Sequence, residues 1–263
     1  MTKSESVEFW GDYLESLHGL ANSPDYWQLL HHSYELSGVL ERGEHILDAG
    51  CGNGTFCMFL LLNHAYRRLH SRGPEFRPPH YVGVDFAPRA LALTRRNLSN
   101  AADELPGQFA ADSMARPPIR ASLSLVDLNR PLPFRDNQFD GIICNLVIGY
   151  LQDPLFTLRE LMRVLSPRGK LVMASFRPYA DLGPIASNLR RAARRPEDVM
   201  EAEQLVSNLG KILQGERAGL FRFFDKQKLL MLLIASGAVR PRLYSTFANQ
   251  VYIAVAEKPE SAG

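Results

Sequence analysis

Residues 44–54 constrain the fold more than any other stretch. A short apolar run, Glu44 to Asp48, reads as a strand and leads into Ala49-Gly50-Cys51-Gly52-Asn53-Gly54, after which a helical pattern begins at Thr55. A chain leaving a buried strand for a helix must turn sharply. Glycine tolerates the positive φ of such a turn and lets another group approach the backbone. The first N–H groups of the helix have no partner within the helix and suit an anionic or polar ligand.

The strand-then-helix rhythm recurs. Tyr81–Asp85 reads as a second strand and Pro88–Leu98 as a helix. Leu123–Val126 and Gly141–Asn145 read as further strands, the latter with the unbroken apolar run of a parallel strand covered on both faces. Asp153-Pro154 caps a helix carrying Leu155, Leu158, Leu161, Met162 and Leu165, which Ser166-Pro167-Arg168-Gly169 ends. Lys170–Ser175, Arg242–Thr246 and Val251–Ala256 complete the strands, with a helix at 225–236 before the last two. The basic, Pro-rich stretch 67–80 reads as an inserted loop, and 101–120 as loop or broken helix.

Alternating strands and helices imply an α/β fold: a Rossmann-like, mostly parallel seven-stranded sheet with helices on both faces. Residues 1–43 read as an N-terminal helical cap. Within it Ser23-Pro24 starts a helix that places Trp27, Leu30, His31 and Tyr34 on one face. Residues 44–263 read as the main domain, in which 177–220, rich in Arg, Glu and Asp, breaks the strand–helix rhythm.

Composition is that of a globular chain, with 46% hydrophobic and 22% charged residues. A net charge of +2 gives no argument for nucleic acid or an anionic membrane. The three cysteines, Cys51, Cys57 and Cys144, suit a reducing compartment rather than a disulfide scaffold. The N-terminus has no signal-peptide core, and Cys57–Leu62 is too short to span a bilayer. A soluble cytoplasmic protein is expected, with no membrane span and no metal site.

In parallel sheets, ligands bind outside the carboxyl ends of the strands. Asp48, Asp85, Asp127 and Asn145 each stand at or beside such an end. The glycine spacing is Gly50-x-Gly52-x-Gly54, not the G-x-G-x-x-G of dinucleotide binders. Asp48 lies two residues before the first glycine. A carboxylate there repels a pyrophosphate but suits the ammonium and sulfonium groups of S-adenosylmethionine (SAM). Asp85 is placed to accept hydrogen bonds from ribose hydroxyls, although it lies further along than the usual spacing of about 20 residues. The insertion at 67–80 accounts for the excess. Asp127 is placed to accept from an adenine amino group.

His45-Ile46-Leu47-Asp48-Ala49-Gly50-Cys51-Gly52-Asn53-Gly54 resembles the first motif of class I SAM-dependent methyltransferases. Val82-Gly83-Val84-Asp85 resembles the second and Val126-Asp127-Leu128 the third. Leu132-Pro133-Phe134 with Phe139-Asp140, Gly141–Asn145, Leu158–Leu165 and Gly169–Val172 resemble later motifs of the ubiquinone/menaquinone-methyltransferase-like branch. The resemblance implies SAM as cofactor. Gly50, Cys51, Gly52 and Asn53 would line its methionine part, with Asp48 facing the amino group. Asp85 would hold the ribose and Phe86 pack on adenine. Asp127 and Leu128 would flank the adenine edge, Asn145 would offer backbone near the methionine part, and residues 177–220 would form an inserted lid over the substrate.

Methyl transfer from a sulfonium is an in-line displacement with a good leaving group, so positioning and desolvation can carry much of it. A base is needed only when the acceptor must lose a proton early. His31 is the candidate base and Tyr150 the candidate tyrosine where methyl group and acceptor meet. Trp27 and Tyr34 are candidates to close the pocket and Arg177 to reach the acceptor. Arg190, Arg191, Arg194 and Arg195 suit either a solvated face or an acidic acceptor. Phe221, Phe223 and Phe224 offer surface to an apolar ring or chain.

The expected acceptor is a small molecule and nucleic acid is disfavoured. Asn145-Leu146-Val147-Ile148 lacks the Asn/Asp-Pro-Pro-aromatic motif of amino-methylating nucleic-acid enzymes. The cysteines match neither an arsenite-binding set nor a Pro-Cys nucleophile. Two alternatives remain: a SAM-binding regulatory or scaffold subunit, and an RNA- or protein-directed methyltransferase.

Overall fold

The computed structural model describes residues 3–15, 23–38, 45–70, 79–103 and 119–260. In chain order these form α1 (Lys3–Glu15), α2 (Pro24–Ser37), β1 (His45–Ala49), α3 (Thr55–His70), β2 (His80–Asp85) and α4 (Pro88–Asp103). Then follow β3 (Arg120–Leu125), β4 (Phe139–Asn145), a short 3-10 turn (Ile148–Tyr150), α5 (Pro154–Val164), β5 (Leu165–Phe176), α6 (Gly183–Ala192) and α7 (Pro196–Arg217). Last come α8 (Lys226–Ala235), β6 (Val239–Thr246) and β7 (Val251–Glu257).

One seven-stranded sheet runs in the order β3-β2-β1-β4-β5-β7-β6. The first five strands in that order are parallel; β7 is antiparallel to both β5 and β6. The expected Rossmann-like sheet is therefore present, and the reversal of strand order between β1 and β4 places a crevice at their carboxyl ends.

The pleat divides the buried side chains into two cores. Ile46, Tyr81, Ile143, Val172 and Ile253 face one side, where they meet Leu29, Leu30 and Tyr34 of α2 and Phe56, Phe59 and Leu60 of α3. Leu47, Val82, Ile142, Cys144, Leu171 and Ala254 face the other, against α5 and α8. α2 thus shares a core with the sheet. Its ends follow local chemistry: the Ser23 hydroxyl accepts from the Tyr26 N–H at 3.3 Å, Pro24 opens the first turn, and Gly38 closes it at φ 66°.

Several boundaries differ from the sequence reading. β3 begins at Arg120 and ends before Val126, because its partner β2 pairs from His80 onward. α3 continues to His70 and α4 to Asp103; the remainders of the stretches read as loops, 71–78 and 104–118, lie outside the described residues. α5 stops at Val164, and Leu165–Gly169 opens β5. The 177–220 segment, which showed no rhythm in the sequence, holds α6 and α7. Their buried Ile185, Leu189, Leu205, Leu209 and Ile212 join the α2-side core.

The motif 132–163 is a structural clasp. The Arg163 guanidinium donates to the carbonyls of Leu132 (3.0 Å) and Phe134 (2.9 Å) and to Glu160 and Asp136. Glu160 in turn accepts from the Leu132 N–H at 2.8 Å. The clasp fixes the loop that feeds β4.

Candidate functional site

Register and pleat together define the carboxyl edge. Asp48 of β1 pairs with Gly83 of β2 and with Ile143 of β4. Asp85 and Asn145, each two residues further on, are therefore level with Gly50, one strand to either side. All three polar side chains belong to the face that α2 covers.

Asp48 is buried, and its Oδ2 accepts from the Tyr81 hydroxyl at 2.7 Å. Burial, reinforced by the charge of Asp85, outweighs that bond and pushes the Asp48 carboxyl up to about 7. Asp85 is buried as well and its carboxyl is raised by desolvation. Its Oδ2 accepts from the Gly52 N–H and its Oδ1 from the Ala87 N–H, both at 3.0 Å. Asp85 therefore braces the glycine loop as well as facing the crevice.

The loop is held more tightly than its sequence suggests. The Gly50 and Cys51 N–H groups donate to the Val84 carbonyl, and the Gly54 N–H to the Cys51 carbonyl. From α4, Thr94 donates to the Gly52 carbonyl and Asn97 to the Asn53 carbonyl. Gly50 sits at φ 85°, and a Cβ there would lie 2.4 Å from Val147. Its glycine is thus demanded by backbone conformation and by the chain that leaves β4. At Gly52 the neighbour is Leu14 of α1, 3.1 Å from where a Cβ would stand. α1 lies over the loop, tied to α4 by the Asp12–Arg89 ion pair at 2.6 Å.

Beside the loop stands an aromatic cluster. Tyr150 meets Trp10 at 4.5 Å between ring centroids, Phe221 at 4.9 Å and Phe223 at 5.8 Å. Phe176, Phe247 and Tyr26 continue it. Tyr26 stands near enough to Thr55 and Asp48 for both to act on its hydroxyl. Burial raises the hydroxyls of Tyr13, Tyr26 and Tyr150 above the usual tyrosine range, so each is a protonated donor at neutral pH.

Other expected site residues lie elsewhere. His31 is exposed and pairs with Glu35 at 3.3 Å on the outer face of α2, so the geometry offers no base at the crevice from it. The adjacent His32 has a buried Nδ1 without a hydrogen-bond partner among the described residues. Trp27 and Tyr34 pack against Phe59 of α3, tilted and edge-on, at 5.6 Å each between ring centroids, and Tyr34 also approaches His64. They pack helix on helix rather than close a pocket, because the apolar stripe that carries them is the one α3 needs.

Arg177 is likewise turned away. It donates to the Asn249 carbonyl at 2.8 Å and lies over the Tyr252 ring, pinning the turn between β6 and β7. Alternation explains this: Phe176 faces the α2-side core, so the next residue cannot. The Leu128 side chain belongs to the core on the opposite face of the sheet, leaving only its backbone near the edge. Asp127 accepts from both nitrogens of Asn129 within its own turn. Phe86 is half-buried just past β2. Cys51, Cys57 and Cys144 are buried free thiols with raised pKa, Cys144 to about 12. Among the described residues no acid, histidine or cysteine cluster could hold a metal, and no helix is long and apolar enough to cross a membrane.

Sequence reasoning missed Tyr26, Ser33, Trp10 and Tyr13. Tyr26, Leu30, Ser33 and Ser37 form the α2 face turned to the sheet. A helical i, i+4, i+7 reading picks out those positions, but only the sheet shows that this face is the inner one.

A Rossmann-like sheet with a braced glycine loop, successive strand-end acids and no dinucleotide spacing defines the class I SAM-dependent methyltransferase fold. The chain belongs to the methyltransferase domain family, whose model matches residues 40–229. Among its relatives, the demethylmenaquinone methyltransferase of Thermus thermophilus is 32% identical over 136 residues, covering 51% of this chain and 48% of that one. The malonyl-[acyl-carrier protein] O-methyltransferase of Halorhodospira halophila is 29% identical over 208 residues, 79% of this chain and 52% of that one. The chain spans about half the length of the curated relatives it matches. In fold it is similar to the N-methyltransferase NodS of Bradyrhizobium japonicum, solved with S-adenosylhomocysteine. That likeness has a TM-score of 0.56 at 15% identity and covers 96% of this chain and 99% of that one.

The residues present fit SAM, the cofactor of this family. The edge carries two buried acids for a ligand with an ammonium and ribose hydroxyls. It also carries an amide nitrogen, Asn145 Nδ2, that is buried without a partner among the described residues.

Proposed function

We propose that this protein is a SAM-dependent methyltransferase acting on an apolar, ring-bearing small molecule. The observation that carries this reading is the aromatic cluster around Tyr150. The 3-10 turn that bears Tyr150 directly follows Val147, which rests on Gly50. A ring stacked among Trp10, Tyr150, Phe221 and Phe223 would thus lie next to the methionine end of the cofactor. The quinone in the names of several relatives is a planar ring of this kind.

In this reading Asp48 faces the ammonium of SAM and Asp85 the ribose. Bound SAM supplies an activated methyl group on a good leaving group. The chain's own residues hold the acceptor in line, exclude water and offer tyrosine hydroxyls as donors. The raised tyrosine pKa values suit donation rather than proton abstraction. Residues 177–220 serve as a lid whose helices pack on α2, where Asn188 bonds both oxygens of Asp25.

Incubation with methyl-labelled SAM and reduced quinones of varied side chain tests this. Transfer to the ring compounds is the expected result. Transfer only to a malonyl thioester on a carrier protein would replace the apolar-ring reading. SAM binding without transfer to any acceptor would favour a regulatory subunit.

A further inference from the structure

Four N–H groups of the glycine loop are already engaged. The N–H groups of Gly50, Cys51, Gly52 and Gly54 all have partners within the protein. Among the described residues, no lysine or arginine is a group that acts on Asp48 or Asp85. Both acids repel a carboxylate. A zwitterionic amino acid can settle on such an edge only if a neutral donor receives its carboxylate.

Asn145 has the geometry of that donor. Its Oδ1 accepts from the Ser33 hydroxyl at 3.1 Å. With the oxygen so engaged, the other end of the planar amide is directed away from Ser33. That nitrogen, Nδ2, is buried and has no partner among the described residues. A buried donor left unsatisfied destabilises a fold, and its persistence calls for a reason. The side chain stands level with Gly50, opposite Asp85, on the same face of the sheet as Asp48.

We infer that Asn145, oriented by Ser33 of α2, donates its amide N–H to the α-carboxylate of bound SAM. This rests on the SAM reading of the site. Ser33 is then a positioning residue: it ties the N-terminal helix to the cofactor through one hydrogen bond, 112 residues apart in sequence.

Calorimetric titration with SAM and with decarboxylated SAM, which lacks only the carboxylate, tests the assignment. Asn145→Leu, of the same branched outline but without a donor, should weaken SAM about tenfold or more and leave decarboxylated SAM within about twofold. Asn145→Asp should weaken SAM further and tighten the decarboxylated ligand, whose charge is wholly positive. Ser33→Ala should shift SAM affinity in the same direction by less, and it keeps the test open should the Asn145 variants fail to fold. Equal weakening of both ligands by these variants, or no weakening of either, overturns the assignment. Failure of the unaltered protein to bind either ligand overturns the SAM reading itself.

Discussion

The two halves of the carboxyl edge are built by opposite means. The half around Asp48, Gly52 and Asp85 is polar and largely local: a strand, a loop and the next strand supply its acids and glycines, and α4 braces the loop. The half around Tyr150 is aromatic and assembled from α1, the turn after β4, the end of β5 and residues 221–223. In the proposed reading the first half handles charge and hydroxyl groups whose geometry is the same for any acceptor. The second offers shape and hydrophobic contact, which vary with the acceptor. In such a design the cofactor side should be sensitive to single polar atoms and the acceptor side to ring area.

The sharpest way to break this comparison is at Asp85. Asp85→Asn turns one acceptor oxygen into a donor facing the backbone N–H groups of Gly52 or Ala87. It should weaken S-adenosylhomocysteine binding about 30–100-fold, the range for a hydrogen bond to a charged group. Far-ultraviolet circular dichroism should remain that of the folded protein. Unchanged affinity in a folded variant would place the cofactor elsewhere.

Asp48 gives an effect of similar origin with a pH signature. Its carboxyl is raised to about 7, so between its ordinary value and 7 the folded protein binds more protons than the unfolded chain. Stability of the ligand-free protein therefore falls as pH rises through that window and levels off above it. Asp48→Asn removes the penalty and should raise stability by about 2–4 kcal/mol at pH 8, since each tenfold change in proton affinity is worth about 1.4 kcal/mol. At pH 4 it should change little. SAM carries its ammonium to the ionised form, so wild-type affinity should rise between pH 6 and 8. Denaturant melts and titrations at several pH values read both effects; a pH-independent difference would remove Asp48 from the account.

On the aromatic side, Phe221→Ala should raise the acceptor KM about tenfold, from lost ring contact and area. Affinity for S-adenosylhomocysteine should stay within about twofold. Equal losses in both would mean that the cluster supports the cofactor instead. The smallest catalytic effect is expected at Arg177. Arg177→Ala should cost about 1 kcal/mol of stability by releasing the turn at 247–249, where three consecutive residues have positive φ. The kcat should remain near that of wild type; a loss of activity exceeding the loss of folded protein would restore Arg177 to the substrate site.

The contrast between the halves also explains what could be read in advance. Asp48, Gly50, Gly52, Asp85 and Asn145 are each fixed by the end of a strand, so pattern alone places them at one edge. Even there the sequence could not show that the N–H groups of Gly50, Cys51 and Gly52 are already engaged, because their partners are Val84 and Asp85 on the neighbouring strand. On α2 the aromatic stripe of Trp27 and Tyr34 is visible and drew attention to the wrong face. The stripe answers Phe59 of α3, and the face turned to the edge carries the less conspicuous Tyr26 and Ser33.

Residue order by itself determined the sheet, its parallel run and the ring of polar strand ends, since these follow from local periodicity and from the need to bury apolar strands on both faces. Tertiary structure alone decided which polar groups remain free to meet a ligand. Hydrogen bonding is a matter of pairing across space: Ser33, 112 residues away, engages the Asn145 oxygen, while the nitrogen beside it has no partner among the described residues.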